Sequence, residues 1–228
     1  MRCSLTVVAL SLVAGAAQAH EGDVGLAISG GRIVTGIVEE IAPGVEVVTP
    51  GQRAFAGELA DVGGLIYSED PGLFTTSGTF TANSSLAFTI HGQLRSWNGS
   101  DFGTVSAERL LIEFGPDARL TPTTDSLVSG FAFNVGPTGG FDEHYNFTLQ
   151  DGVGGNNPSS GVYLLALSLS SSDAAIATSE PFYLVLNFGQ DELVHDAAVE
   201  YVENVIVPAP GAAVALLGLG LLASRRRR

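Results

Sequence analysis

Short apolar runs rich in Val, Ile, Leu, Phe and Thr recur between clusters of Gly, Pro, Asn and Asp through the middle of this 228-residue chain. Some runs alternate apolar and polar side chains. In the stretch from Leu127 to Val135, for example, Phe131 and Phe133 share one face with Val135. Period-two alternation between frequent turn residues is typical of strands in a sandwich or barrel. The pattern predicts an all-β fold of about ten strands.

The first two runs, Val24 to Ile28 and Arg32 to Val38, form a predicted hairpin. Gly30 and Gly31 between them allow the positive φ that a tight turn requires. The other predicted strands are Val45 to Val48, Arg53 to Leu59, Leu65 to Tyr67, Leu86 to Leu94, Ala107 to Phe114, Leu127 to Val135, Tyr145 to Gln150, Val162 to Ser170 and Phe182 to Phe188. Together they predict one jelly-roll-like β-sandwich domain over residues 20–190.

One segment, residues 191–204, breaks the period of two. Its apolar residues follow the i, i+3, i+4 spacing of an amphipathic helix. They are Leu193, Val194, Ala197, Ala198, Tyr201 and Val202, followed by Val205. Asp191 and Glu192 favour the helix N-terminus through the macrodipole, and Asn204 is able to close the other end. We predict a short helix that packs this apolar stripe on the sandwich.

The first 19 residues have the layout of a signal peptide. Arg2 supplies a positive charge, the run from Leu5 to Ala14 is mostly apolar, and Ala17-Gln18-Ala19 matches the small-x-small pattern that signal peptidase accepts. The apolar run is only about ten residues long, too short for a hydrocarbon core of roughly 30 Å. We expect export with cleavage after Ala19. Cleavage there also removes Cys3, the one cysteine of the chain.

Residues 205–228 combine three features in a fixed order. Val207, Pro208, Ala209 and Pro210 come first, an apolar run from Gly211 to Ala223 follows, and the chain closes on Arg225, Arg226, Arg227 and Arg228. Thirteen residues make a helix of about 20 Å, which is short for a permanent membrane span. The arginine cluster favours the cytoplasmic side. An ordinary C-terminal anchor is one interpretation of this tail.

The same order resembles the PEP-CTERM sorting tail of exported bacterial proteins, which an exosortase-type enzyme is thought to recognise and cleave. One departure is Ala209, which stands where the usual motif has Glu. The resemblance implies signal peptidase and an exosortase-type enzyme as partners. It also implies a transient inner-membrane anchor through a transmembrane helix at residues 211–223, and then an outer-surface or extracellular location.

The segment between the two ends, residues 20–204, is long enough for one domain with a substantial core. It holds five arginines, no lysine and all 24 acidic residues of the chain, a formal net charge of −19. Nucleic acids and anionic membrane surfaces are therefore poor partners. Acidity of this degree generally serves solubility and needs no specific site.

Signatures of catalytic nucleophiles are missing from the sequence. It contains no Gly-x-Ser-x-Gly stretch, no lysine and no cysteine after residue 19, which removes thiol and Schiff-base catalysis. The glycine-rich stretch that begins at Asp151 lacks the Lys-Ser/Thr of a phosphate-binding loop. Acidic neighbours such as Glu39 and Glu40 are too frequent to identify a glycosidase pair. We therefore predict a protein that is not an enzyme.

Histidine offers the most specific candidate chemistry. Cleavage after Ala19 makes His20 the new N-terminus, where its α-amine and ring nitrogen can chelate one ion. Asp142 and His144, two apart on an extended segment, point to one side. The predicted metal site consists of His20, Asp23, Asp142 and His144, whose nitrogen and oxygen donors suit zinc or copper. Alternatively, His20 is a frayed terminus and His144 an exposed loop residue.

The other two histidines, His91 and His195, fall in a predicted strand and in the predicted helix. A packed or solvated imidazole is the ordinary role of a histidine in such positions.

Several stretches of the body resemble a family of exported proteins from cyanobacteria and planctomycetes that carry this sorting signal, some of them associated with zinc-repressed regulation. The matching stretches are HEGDVGL, EDPGLF, SWNGSDF, FDEHYNFTL, GVYLLALSLSS and SEPFYLVLNFGQDE. The family pattern at FDEHYNF has His-x-His, whereas this chain has Asp142 in place of the first histidine and keeps His144. The resemblance implies no activity.

The leading hypothesis is an exported, non-catalytic protein of the cell envelope or extracellular matrix, without a cofactor. The alternative is a zinc-binding envelope protein. Two further hypotheses are a copper mono-oxygenase that uses an N-terminal His20, and a carbohydrate-binding module in which Trp97 stacks on a sugar beside Asn98 and Asp101. A core or strand-edge position is the alternative for Trp97.

Overall fold

The computed structural model describes residues 22–207, which contain seventeen strands, one α-helix and one π-helical turn. The all-β prediction, with one short C-terminal helix, is confirmed. In chain order the elements are β1 (Val24–Ser29), β2 (Arg32–Ala42), β3 (Val45–Pro50), β4 (Ala54–Glu58), β5 (Ala60–Val62), β6 (Leu65–Ser68), β7 (Leu73–Thr75), β8 (Ser85–His91), β9 (Arg95–Ser96), β10 (Thr104–Val105), β11 (Arg109–Phe114), β12 (Asp117–Leu120), β13 (Leu127–Asn134), β14 (Phe141–Glu143), β15 (Asn146–Gln150), β16 (Gly161–Ser171), β17 (Phe182–Phe188), α1 (Glu192–Tyr201) and the π-helical turn Val202–Ile206.

Each long strand of the structure was predicted from the apolar pattern. The missed elements are β5, β7, β9, β10, β12 and β14, which have two to four residues each. A segment of that length contains at most two residues on one face, so it shows no period. The predicted number of strands was therefore too low.

The strands form three sheets. The first has the order β14-β7-β1-β2-β3, and the third has the order β12-β11-β15-β6-β5. The second runs β10-β9-β16-β17-β4, with β8 also paired to β16 and β13 to β8. Two pairs are parallel, β1 with β7 and β17 with β4, while the other pairs are antiparallel. These two parallel pairs bring together segments that are far apart in the chain.

One apolar core joins the three sheets. Its centre is aromatic: Phe88 meets Phe131 edge-on at 4.7 Å between ring centroids, and Tyr145 meets Phe147 at 4.8 Å. Edge-to-face aromatic pairs at such separations add to the free energy gained from burial. The alternating side chains of β13 point Phe131 and Phe133 into this core, as predicted.

A second, smaller apolar cluster lies between the outer face of the second sheet and α1. Its buried members are Ala54, Phe102, Val162, Leu164, Val185, Ala198 and Val202. Strand β16 contributes Val162 and Leu164 to this cluster and Tyr163 and Leu165 to the main core. A strand covered on both faces is apolar at successive positions. This explains why the stretch from residue 161 to residue 169 hardly alternates.

The helix begins near the predicted residue, and its predicted apolar face is buried only in part, through Ala198 and Val202. Leu193 is 81% exposed, and the buried residues are His195, Ala198 and Val202. The prediction missed His195, because a polar imidazole occupies an inward position of the helix and a search for apolar residues does not find it. The last turn runs to Ile206, two residues beyond the predicted end at Asn204.

The predicted targeting segments lie outside the described residues. They comprise the signal peptide 1–19 with Ala17 and Ala19, the tail residues Pro208, Ala209 and Pro210, the transmembrane helix 211–223, and Arg225, Arg226, Arg227 and Arg228. Between residues 22 and 207, no helix is both long enough and apolar enough to cross a bilayer.

Candidate functional site

Three neighbouring strands of the first sheet bring Asp23 and His144 together. Val24 of β1 pairs with Leu73 of β7, and Leu73 pairs with Glu143 of β14. Continuing this register by one residue places Asp23, Gly72 and His144 in one row. Gly72 stands in the middle and has no side chain, so the flanking side chains can meet across it.

Four side chains gather at this row: Asp23, Asp70, Asp142 and His144, which we call the His144 cluster. The carboxylate of Asp23 is 4% exposed, and its Oδ1 accepts a hydrogen bond of 2.7 Å from the Gly72 amide. The Gly72 carbonyl in turn accepts a hydrogen bond from the Val24 amide. These bonds hold the Asp23 carboxylate in place and offset the free energy that burying a carboxylate without partners would cost.

The two ring nitrogens of His144 face different groups. Nδ1 lies 3.1 Å from Asp70 Oδ1 and 3.3 Å from the Glu69 carbonyl oxygen. Nε2 lies 3.6 Å from Asp142 Oδ1 and 3.7 Å from Asp23 Oδ2. A ring held through one nitrogen by a carbonyl or carboxylate, with the other nitrogen turned towards further carboxylates, has the arrangement of a metal-binding histidine and its supporting shell.

The charges of the cluster favour a protonated imidazole when no metal is bound. Partial burial opposes this, but Asp23, the Glu69 carbonyl, Asp70 and Asp142 outweigh burial and raise the pKa of His144 above its ordinary value. Burial, and next the charge of Asp142, also raise the pKa of Glu143. The cluster is therefore an acidic site that attracts a cation at the imidazole, whether a proton or a metal ion.

Tyr145 follows the cluster and closes its inner side. The phenol is 2% exposed and belongs to the main core. Burial, and after it the negative charge of Asp23, raise the pKa of Tyr145. A neutral tyrosine thus separates the cluster from the aromatic core.

Three of the four predicted metal ligands, Asp23, Asp142 and His144, are brought together by the fold. The fourth, His20, lies outside the described residues. Sequence analysis missed Asp70. One oxygen each of Asp23 and Asp70 and one nitrogen of His144 lie within 4.8 Å of one another. No local pattern marks Asp70, because it reaches the cluster through β7, a strand of only three residues.

A second group with metal-binding residue types surrounds His195. Its Nε2 lies 2.9 Å from the Val185 carbonyl oxygen and its Nδ1 lies 2.8 Å from Glu58 Oε1, while Glu192 completes the group. Both ring nitrogens of His195 therefore lie at hydrogen-bond distance from an oxygen atom of a neighbouring strand. We interpret His195 as the residue that fastens α1 to β4 and β17, in line with the packed role expected for it.

His91 and Trp97 also have structural partners. His91 Nε2 shares a hydrogen bond of 2.8 Å with Ser168 Oγ. Trp97 packs on Phe102 and Tyr201, with ring centroids at 5.1 and 5.3 Å, at the edge of the smaller cluster. Because two aromatic neighbours contact the indole, its position agrees with the core or strand-edge interpretation of Trp97. Of the neighbouring polar residues, Asn98 donates a hydrogen bond to Asp101 within its own loop.

Comparisons with protein-family models and with curated proteins gave no match to this chain.

Proposed function

We propose that this chain is an exported, non-catalytic protein of the cell envelope or extracellular matrix whose β domain binds one zinc ion at the His144 cluster. The observation that carries the metal proposal is that the two ring nitrogens of His144 face different groups. Nδ1 is engaged by the Glu69 carbonyl and Asp70, while Nε2 faces Asp23 and Asp142. In this arrangement Nε2 and the two carboxylates are the ligands.

The distances from Nε2 to the two carboxylates support zinc. Zinc binds nitrogen and oxygen ligands at about 2.0–2.1 Å, so neighbouring ligands of a tetrahedral ion stand roughly 3.4 Å apart. The observed separations from Nε2 are 3.6 Å to Asp142 and 3.7 Å to Asp23. The side chain of Asp142 is 44% exposed, and its Oδ1 stands only a few tenths of an ångström farther from Nε2 than that tetrahedral separation.

Asp70 and Glu69 have a supporting role in this proposal. By accepting a hydrogen bond from Nδ1–H, they fix the tautomer that leaves the Nε2 lone pair available. Groups in this position raise the basicity of the ligand, and their loss typically costs about 10- to 100-fold in metal affinity.

His20 supplies the fourth ligand. It precedes Asp23 by three residues, and a chain of three residues spans at most about 11 Å. The α-amine and ring of His20 are therefore within reach of the cluster once cleavage after Ala19 has exposed them. Signal peptidase thus completes the metal site as well as releasing the chain.

The envelope location rests on the two ends of the sequence. A signal peptide over residues 1–19 and a PEP-CTERM-like tail over residues 205–228 bracket the β domain. We propose processing by an exosortase-type enzyme after transient anchoring in the inner membrane. The domain itself we propose to be a jelly-roll-like sandwich.

Zinc titration calorimetry tests the metal site, with protein secreted by the native host so that its N-terminus is authentic. We expect one ion per chain for the wild type and no defined stoichiometry for His144→Ala. Asp142→Asn removes a ligand charge and should weaken binding, and Asp70→Asn should weaken it about 10- to 100-fold. A version with an added Met before His20 should also bind less tightly.

Two matched variants serve as controls. His91→Ala removes a histidine outside the cluster, and Asp117→Asn removes an exposed carboxylate. Both should bind zinc like the wild type. If the wild type and His144→Ala take up zinc equally weakly, the acidic surface accounts for the metal and the cluster does not bind it.

Mass spectrometry of the secreted protein tests the envelope proposal separately. The protein should begin at His20 and should end near Pro210. Secreted protein that still carries Arg228 would exclude tail processing.

A further inference from the structure

A cleft of about 350 Å³ opens where the β1–β2 hairpin, the β3–β4 connection and the segment before β17 meet. Ile33, which is fully buried, forms its base together with Val34, Pro50 and Val207. Clefts of this size with apolar walls and a few polar groups are the usual sites of small ligands. No residue of the His144 cluster lines the cleft, so it is a separate site.

Two arginines, Arg32 and Arg53, line this cleft. Residues 22–207 contain five arginines and no lysine, in a chain with 24 acidic residues. Two of these five cationic side chains are therefore concentrated at one cleft with apolar walls. A positive site on an acidic protein selects for an anion, because most of the remaining surface repels one.

Backbone carbonyls hold both guanidinium groups in place. Nε and Nη2 of Arg53 donate to the Pro181 carbonyl at 2.8 and 2.5 Å. Nη1 of Arg32 donates to the Thr178 carbonyl at 2.9 Å. A guanidinium has five N–H donors, so each arginine keeps donors for a further acceptor. Fixed guanidinium groups lose little conformational freedom when they bind a carboxylate.

A second acceptor of Arg32 Nη1, beside the Thr178 carbonyl, is Glu180 Oε1 at 3.0 Å. This pair is exposed, with 45% of the Arg32 side chain and 61% of the Glu180 side chain accessible to solvent. Exposed ion pairs contribute little free energy, so a carboxylate from solution can displace Glu180 at small cost. Glu180 thus competes with an anionic ligand for Arg32.

We propose that this cleft binds a small amphipathic monocarboxylate. Its apolar body packs on Ile33, Pro50 and Val207, and its carboxylate replaces Glu180 at Arg32 and is also bound by Arg53. Among residues 22–207, the lining of the cleft includes no aromatic side chain on which a sugar ring could stack, which favours an aliphatic body.

Titration with hexanoate and its neutral analogue hexanamide, followed by NMR on the exported protein, tests the proposal. Hexanoate should bind at least about tenfold more tightly, because hydrogen bonds to a charged group are the stronger ones. Arg32→Gln should remove this preference. Glu180→Gln should strengthen hexanoate binding, because it removes the competing carboxylate.

The exposed positions of Arg32 and Glu180 keep these two variants folded, whereas Arg53→Gln also cuts the bonds to Pro181. Arg119→Gln is the matched control, since Arg119 donates to the Ser129 carbonyl elsewhere and should leave binding unchanged. Equal binding of hexanoate and hexanamide, no binding of either, or unchanged affinity in Glu180→Gln would each overturn the proposal.

Discussion

Asp23 and His144 meet across Gly72, with 3.7 Å between Asp23 Oδ2 and His144 Nε2. The contact depends on the missing side chain of Gly72. A Cβ at that position would lie 2.9 Å from both Cε1 and Nδ1 of His144 and 3.1 Å from Asp23 Oδ1. Gly72, the residue just before β7, therefore leaves the space that the imidazole of His144 occupies.

Gly72→Ala should weaken zinc binding while the domain stays folded. The methyl group pushes the imidazole away from Asp23, and the ring is the end of a side chain that can turn. We expect a loss of about tenfold in zinc affinity, the lower end of what is typical when the support of a metal ligand is disturbed. Zinc calorimetry measures the loss, and circular dichroism checks the fold. Unchanged affinity would contradict the role of Gly72.

His195→Ala should destabilise the domain without affecting zinc binding. The substitution removes the hydrogen bond to the Val185 carbonyl and the contact with Glu58 that together fasten α1. A buried polar group that loses its partner costs about 1–3 kcal/mol. Urea unfolding should show a loss in this range. The exposed control Asp196→Asn lies on the same helix and should change stability little.

Gly130→Ala should destabilise the main core. Gly130 lies at the irregularity between β13 and β8, under the ring of Phe88. An added Cβ would lie 2.4 Å from Phe88 Cε2. Overpacking of a core costs typically about 1–3 kcal/mol. Urea unfolding should show that loss, and the double variant Gly130→Ala, Phe88→Leu should lose less than the two single losses combined.

The sequence predicted the long strands well because each carries an apolar run, either alternating or continuous. Phe131 and Phe133 on β13 are the clearest case, since alternation marks them directly. The buried face of α1 was predicted only in part, because its pattern is not purely apolar. Its central inward residue is His195, whose burial depends on Glu58 and Val185, residues distant in sequence.

The candidate site was predicted in part for similar reasons. Asp142 and His144 are neighbours on one strand end, so local geometry was sufficient to pair them. Asp70 belongs to a turn that reaches them only through β7, a strand of three residues. Strand pairing that links distant segments leaves no local pattern, and β7 was too short to predict.

His91 and His144 should give the metal-free protein opposite responses to pH. For His91, burial lowers the pKa, which means that the folded protein favours the neutral imidazole more than the unfolded chain does. That contribution is present above the unfolded value of about 6.5 and is lost as pH falls below it. Thermal unfolding with a chelator should show that His91→Gln reduces the loss of stability between pH 6.5 and pH 5.5. An equal loss in wild type and variant would contradict this assignment.

For His144 the sign is reversed. The neighbouring carboxylates raise its pKa, so the protonated ring stabilises the fold. This contribution is fully present below the unfolded value of about 6.5 and is lost as pH rises through the higher folded value. In metal-free protein, His144→Gln should therefore flatten the fall in melting temperature between pH 6.5 and pH 8. Zinc should restore stability to the wild type at pH 8 and not to the variant, because above the folded pKa the ring is free of its proton and open to the ion. Equal stabilisation of both proteins by zinc at pH 8 would place the ion elsewhere.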